Sequence, residues 1–496
     1  MKLMLCTYLI LFLTIIAHSQ LSFATDGFKI GLFDFAKVGH QSEGEPYTLD
    51  KIVVNSIESG LEVRKKLLEL YVARKNMHIH ALHLLPEINI YAAAQAGIDR
   101  AASLEALVPL VGFLLPSRWF NLHASRHLKK AEEHSLASIM GNSAQHVQNL
   151  YLDIQRQIWL ISVLEFYSHE LDRFIKFFQD ERERGLIRVS EGDIQALKNM
   201  QGRFLSDRAF VDGLSASIPK LAAAMGFSPE IDWSELPVEA MQIKTLGDVY
   251  KRHYSEFWEL AYERSTELAT VRELITAAHS QRRALYLDPL DPDSGNNLGL
   301  MMAPRIKSTR TNVLLLINKL KQTAIQLGTA IQDELNNYND AVDSLSALKE
   351  SLESLHGMKK EIEKKLNNRY SPIDFNKVIR LLEYSEITAT DYIKYYFSLK
   401  EAEAKLNRLT WNGEIYKIVN DYRENEIPKM LKEIRKEQSL RHRIKRKVKK
   451  IIPSCLEATH ENRVLDFSSA CMPEHALRSC RQRIMEQQPL FNHAAK

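Results

Sequence analysis

Apolar residues recur at three- and four-residue steps through most of this chain, as in Ile154, Ile158, Ile161, Leu164 and Tyr167, and that spacing predicts amphipathic helices. Breakers bound the longest runs. From Arg118 to Arg184 there is no proline and a single glycine, Gly141, and the run halts at Gly185, a residue type that closes helices in the left-handed conformation. A second helix is predicted from about Ser190 to Met225, stopping at Gly226 with Pro229 beyond it, and Pro219 is expected to kink it or end it early. The second half repeats this grammar. Arg305 to Asn368 lacks proline, Asn368, Ser371 and Pro372 form the break, and a further helix is predicted from Asp374 to Trp411, ending at Asn412-Gly413.

The breakers recur at a nearly constant interval: Pro116 and Pro304 lie 188 residues apart, Ile187 and Ile373 186, Gly226 and Gly413 187. Three agreeing landmarks imply an internal duplication. In each repeat the long helix would span roughly 100 Å and the returning helix roughly 55–60 Å. An earlier helix, Leu49 to Leu85 in one repeat and Leu246 to Arg282 in the other, adds roughly 50 Å. One long helix beside two shorter ones stacked end to end is therefore expected, and its apolar stripes predict self-association into a bundle. Between early and long helix each repeat offers a candidate strand pair. In the first these are the alternating Glu87 to Tyr91 and the apolar Leu107 to Leu115. In the second they are Ala284 to Leu287 and Leu298 to Ala303, around the turn Asp288 to Gly295.

Composition agrees with long solvated helices rather than a string of compact domains: 496 residues hold only 19 Gly and 15 Pro, and 26% charged residues nearly balance at +4. Met1-Lys2, the apolar Leu3 to Ile16 and the small-x-small Ser22-Phe23-Ala24 read as a signal peptide, residues 1–24. Later apolar stretches are short, so any membrane crossing falls to strands. Cys455, Cys471 and Cys480 lie in the tail, where one pair would close a loop and leave the third over. Arg441 to Lys450 carries seven Lys/Arg, which in an exported protein reads as a solvated tail or a contact with an acidic partner rather than a nucleic-acid site.

Catalytic chemistry is not in evidence. His78, His80 and His83 cluster on one helix with no carboxylate or cysteine to complete a metal set, and Glu165 with His169 reads as a helix-surface pair. There is no phosphate-binding glycine loop, G-x-S-x-G or Cys-x-x-Cys. Neither an enzyme, a cofactor nor a metal site is expected.

The order of these elements resembles the TolC-like outer-membrane efflux proteins. The resemblance rests on Asn55 to Pro86, with Leu61-Glu62-Val63-Arg64 and Leu84-Leu85-Pro86, and on Ala261 to Leu268. It rests also on Gly185-Leu186-Ile187 and Tyr370 to Leu382 at the two turns, and on Leu221 to Pro229, so that it covers about Leu49 to Gly413. It implies a mainly α fold: long antiparallel helices in a coiled-coil-like α-barrel with a small β-barrel portion, two repeats per chain, as a homotrimer in the outer membrane. The expected divisions are 25–226 and 227–413 for the repeats and 414–496 for a basic extension of unassigned role. The implied function is a passive duct of a tripartite efflux or type I secretion system, with a periplasmic adaptor (membrane fusion) protein, an inner-membrane ABC or RND pump and outer-membrane lipid as partners.

Two departures from the family pattern stand out. About seven residues per strand remain between Arg283 and Pro304, where a spanning strand needs about 9–11. That shortness supports the alternative reading, a periplasmic coiled-coil scaffold without channel activity. At the second turn, Lys377 and Arg380 align with two aspartates that ring the entrance in well-known members, so an entrance without cation selectivity is expected. Pairing of these cations with Glu383 or a neighbouring chain is the alternative. The candidate entrance residues are Gly185, Arg188, Asp193, Asp374, Lys377 and Arg380.

Overall fold

In a computed structural model the described residues are 29–33, 47–84, 115–185, 189–211, 214–227, 241, 243, 249–288, 302–368 and 373–439. The expected signal peptide, most of both strand pairs, Arg188, the basic run and the three tail cysteines lie outside them.

Among the described residues the structure is helical, without strands. The helices are α1 (Leu49–Ser59), α2 (Leu61–Leu82), α3 (Pro116–Glu183), α4 (Glu191–Val211), α5 (Leu214–Ala224), α6 (Tyr254–Arg264), α7 (Thr266–Leu287), α8 (Met302–Asn367), α9 (Phe375–Thr410) and α10 (Glu414–Asn425). No helix of the described residues is long and apolar enough to cross a membrane. Residues up to Val419 form one compact unit; those from Asn420 form a second, in which residues 427–439 are helical and Tyr422 Oη donates to Met430 Sδ.

The early helix of each half is broken rather than continuous. Eleven residues, one break and twenty-two residues occur twice, as α1–Gly60–α2 and α6–Ser265–α7. Gly60 and Ser265 share one conformation, φ −59°, ψ 118° and φ −57°, ψ 119°. A ψ near 120° points the backbone out of the α spiral for one residue. Periodicity misses such a break because the apolar phase resumes at once. The second early helix also starts at Tyr254 rather than Leu246 and runs on to Leu287, so Ala284 to Leu287 are helix and not strand.

The ends of the return helices carry the other correction. Gly226, at φ +77°, ends α5 in a Schellman motif, with Phe227 N–H on the Ala222 carbonyl and Gly226 N–H on Ala223. Pro219 sits inside α5 without ending it. In the second half Trp411, at φ 51°, takes that place, with Trp411 N–H on the Arg408 carbonyl and Asn412 N–H on Asn407, and Gly413 lies two residues beyond. A tryptophan in the left-handed region costs about 1–3 kcal/mol and must be held by its surroundings. Its ring packs over Gly141 of α3, stacks with the Arg408 guanidinium at 5.1 Å and tilts against Tyr416.

Helix α3 is the spine of the first unit, with α1, α2, α4, α5, α7 and α9 all packed on it, while α8 packs on α6, α7 and α9. Trp159, Val163, Leu171, Phe174, Phe204, Ile331, Leu381 and Phe397 belong to the continuous apolar core that joins these helices.

Candidate functional site

The two hairpin turns, α3–α4 and α8–α9, carry the described entrance candidates. Gly185 follows the last turn of α3 at φ +79°, with Arg184 N–H on the Asp180 carbonyl and Gly185 N–H on Arg182. Arg182 pairs with Glu191 across the turn. Ser190 and Asp193 form a capping box: Asp193 N–H donates to Ser190 Oγ at 3.2 Å, while Ser190 N–H and Oγ–H donate to the Asp193 carboxylate at 2.9 and 2.7 Å. Asp193 thus closes the start of α4.

The second turn has the same logic with a different charge pattern. Asp374 is the N-cap of α9, its carboxylate accepting from Lys377 N–H at 3.4 Å. Lys377 Nζ lies 3.3 Å from Glu361 on α8, which also takes Lys365 at 2.9 Å. Hydrogen bonds from Lys365, then Lys377, hold the Glu361 carboxyl below its usual range. Arg380 is exposed and makes no ion pair among the described residues. Glu383, weighed as a partner for these cations, instead meets Arg203 of α4 at 3.4 Å. Likewise Glu165 pairs with Arg208 at 2.7 Å rather than with His169. Phe178 of α3 and Phe375 of α9 meet edge-on at 6.1 Å, so the two hairpins are joined near their tips by one aromatic contact and, further along, by Arg203–Glu383.

A segment that periodicity does not reveal ties the two long helices together. Ile30 is buried, its N–H donating to Glu363 of α8 at 2.7 Å; Gly31 N–H donates to Glu170 of α3 at 2.9 Å. Arg173 binds Glu170 at 2.5 Å and the Lys29 carbonyl at 3.1 Å, and Phe33 packs edge-on against Trp159 and Phe166. Residues 29–33 thereby strap α3 to α8. The segment is short and has no regular secondary structure, so only its partners mark it.

Midway along the bundle a buried polar cluster links three helices. Arg408, 5% exposed, donates from Nε to Asn142 at 3.0 Å, and from Nη2 to the Ser138 carbonyl and hydroxyl at 3.2 Å and to Glu267 at 2.5 Å. Ser138, Ser265 and Thr266 hydroxyls also donate to Glu267. Burial alone would raise the Glu267 carboxyl; the Arg408 charge and these hydrogen bonds override it and bring it down to about 2. In the first repeat Ser59 meets the Met225 carbonyl at the corresponding junction. Each return helix therefore ends against the break of its own early helix.

Solved structures with a similar fold include a membrane protein from Pseudomonas aeruginosa, 13% identical with a TM-score of 0.54, matching 74% of this chain and 91% of that one. The outer-membrane channel OprN is 10% identical with a TM-score of 0.54, over 79% of this chain and 98% of its own. The open state of the Neisseria gonorrhoeae MtrE outer membrane channel is 10% identical with a TM-score of 0.53, over 78% and 97%. The chain has the fold of the TolC-like outer-membrane channels. No protein-family model matches its sequence, and no curated protein does.

Proposed function

We propose that this chain, built on the TolC-like channel fold, is one subunit of a trimeric outer-membrane duct through which exported molecules pass without energy input at that membrane. The observation that carries this reading is the near-complete match to channel chains, 98% of OprN and 97% of MtrE, by a chain whose early-helix, long-helix and return-helix order occurs twice. The repeats are taken as 25–226 and 227–413, with 414–496 as an appendage. The segments between early and long helices would furnish the β-barrel in outer-membrane lipid. A periplasmic adaptor and an inner-membrane ABC or RND pump, in an efflux or type I secretion system, would dock on the hairpin tips and supply the energy.

The entrance is assigned to the two turns, with Gly185, Arg188, Asp193, Asp374, Lys377 and Arg380 as its residues. Opening moves one hairpin away from the other, which parts Phe178 from Phe375 and Arg203 from Glu383. An exposed ion pair contributes only about 0–1 kcal/mol, so this latch suits a gate that an adaptor can open. Lys377 is half engaged with Glu361, and Arg380 supplies an exposed positive charge beside it in sequence. The resulting mouth should not favour cations.

Fractionation and bilayer recording test the proposal together. The protein should sit in the outer membrane as a trimer, and in planar bilayers should conduct without strong cation selectivity, with Arg203→Ala raising the open fraction. Release from membranes without detergent would leave a periplasmic scaffold instead. A strongly cation-selective channel would refute the assignment of Lys377 and Arg380 to the mouth.

A further inference from the structure

The two ends of the first unit differ in their charge pattern. Near the hairpin tips cations sit beside acids, as in Arg182–Glu191, Lys176–Asp172 and Lys377–Glu361. At the opposite end α2, α3, α7 and α8 come level. Arg118 of α3 donates to the His83 carbonyl just past α2 at 3.0 Å, and Arg283 of α7 lies over the Phe120 ring of α3 at 5.9 Å. Lys251, ahead of α6, meets Asp343 of α8, while Gly328 lies against Trp258 of α6. Helix α8 therefore runs antiparallel to α6 and α7, and its start comes beside the end of α7. Over this end the sequence carries no acid: none in α2 after Glu69, in α3 before Glu132, in α7 after Glu273 or in α8 before Asp333. Lys75, Arg126, Lys130, Arg283, Arg305 and Arg310 are exposed there, at least one on each helix, and none makes an ion pair among the described residues. Asp288, the C-cap of α7, is the first acid beyond that helix.

We propose that this end of the bundle is a cationic collar that binds the headgroups of anionic phospholipids. Clustered like charges repel one another, and an anion supplied from outside the chain relieves that repulsion. The collar also carries large apolar side chains: Leu82 at the end of α2, Trp119 in the first turn of α3 and Tyr286 in the last turn of α7 are 61%, 44% and 53% exposed. A free anion in water would be held by the cations alone and has no use for these groups. A membrane surface takes both, with Lys and Arg reaching phosphate while Trp and Tyr rings settle at headgroup level. The proposal rests on the duct reading for which membrane is met, because the segments following α2 and α7 are the ones assigned to the barrel.

The purified full chain in neutral detergent is mixed with equal amounts of phosphatidylglycerol and phosphatidylcholine, repurified, and its retained lipid counted. Wild type should keep phosphatidylglycerol in excess, and raising NaCl from about 0.05 M to about 0.5 M should remove the excess. Each basic residue beside an anionic headgroup layer strengthens attachment roughly 5-fold. Arg126→Glu, Lys130→Glu and Arg283→Glu combined should therefore retain at least ~10-fold less phosphatidylglycerol. Lys198→Glu, Lys349→Glu and Lys360→Glu combined, exposed and outside the collar, should retain it as wild type does. Should the collar variant lose helicity, glutamines at the same three positions replace it, with a smaller loss expected. Equal retention by wild type and collar variant, or a preference that ignores salt, overturns the proposal. So does a collar variant that changes the ion preference of bilayer currents at unchanged lipid retention, since its cations would then line the passage. Conductance reads the duct separately: a conducting channel without lipid preference overturns the collar alone, and a salt-sensitive preference in a chain that does not conduct overturns the duct alone.

Discussion

Replacing Glu267 with glutamine should weaken the middle of the bundle by about 2 kcal/mol at neutral pH, and the loss should fade in acid. In the native protein the carboxylate faces Arg408 at 2.5 Å and accepts three hydroxyl hydrogen bonds. A fall from the ordinary 4.5 to about 2 corresponds to at most ~3.4 kcal/mol, at 1.36 per unit. Because 39% of the Glu267 side chain is still exposed, solvent screening trims this to roughly 1–2 kcal/mol. Removing the countercharge of a buried arginine costs about 3–5 kcal/mol when nothing else holds it. Here Asn142 and Ser138 remain, and the glutamine oxygen still accepts, which brings the expected figure below that range, to about 2 kcal/mol. The carboxyl titrates lower in the folded than in the unfolded chain. Its contribution is therefore complete above pH ~4.5 and disappears as pH falls through ~2. Urea unfolding followed by helical circular dichroism, on wild type and variant at several pH values between about 7 and 2.5, measures this. A difference under about 0.5 kcal/mol at neutral pH, or one that stays constant down to pH ~2.5, would refute the reasoning.

Three glycine substitutions test packing without charge. Gly31→Ala would set a methyl 2.7 Å from the Glu170 carboxyl and 2.8 Å from Phe166, so the strap should detach. We expect about 1–3 kcal/mol of lost stability and faster proteolysis around residues 29–33, at unchanged helicity. Gly141→Ala and Gly357→Ala should differ in sign. The first places a methyl 2.5 Å from the Trp411 ring and should lower the melting temperature; the second meets nothing within 4 Å and should gain roughly 0.5–1 kcal/mol from helix propensity.

The hairpin tips illustrate how far local chemistry reads from sequence. Ser190 and Asp193 carry capping-box spacing, and Asp374 stands directly before an apolar run, so both helix starts were legible. What Lys377, Arg203 and Glu383 touch was not. Lys377 meets a residue 16 positions back and Arg203 one 180 positions on, and no local rule couples such positions. Arg408 shows the same limit more sharply: in sequence it is one cation in the last turn of a helix, yet it is buried and gathers residues of α3 and α7.

The sequence by itself determined the long helices, their breakpoints within a few residues and the return of the same order in the second half, because helix period and Gly/Pro punctuation act over a few residues at a time. It mistook Ala284 to Leu287 for strand and passed over the breaks at Gly60 and Ser265. It also assigned the closing turn to Gly413. Tertiary structure put Trp411 there instead, since the cost of a left-handed tryptophan is met by its contacts with Gly141, Arg408 and Tyr416, which lie on other turns and another helix. Interactions along the chain are set by spacing; those between helices depend on which faces meet, and that is decided only when the whole bundle packs.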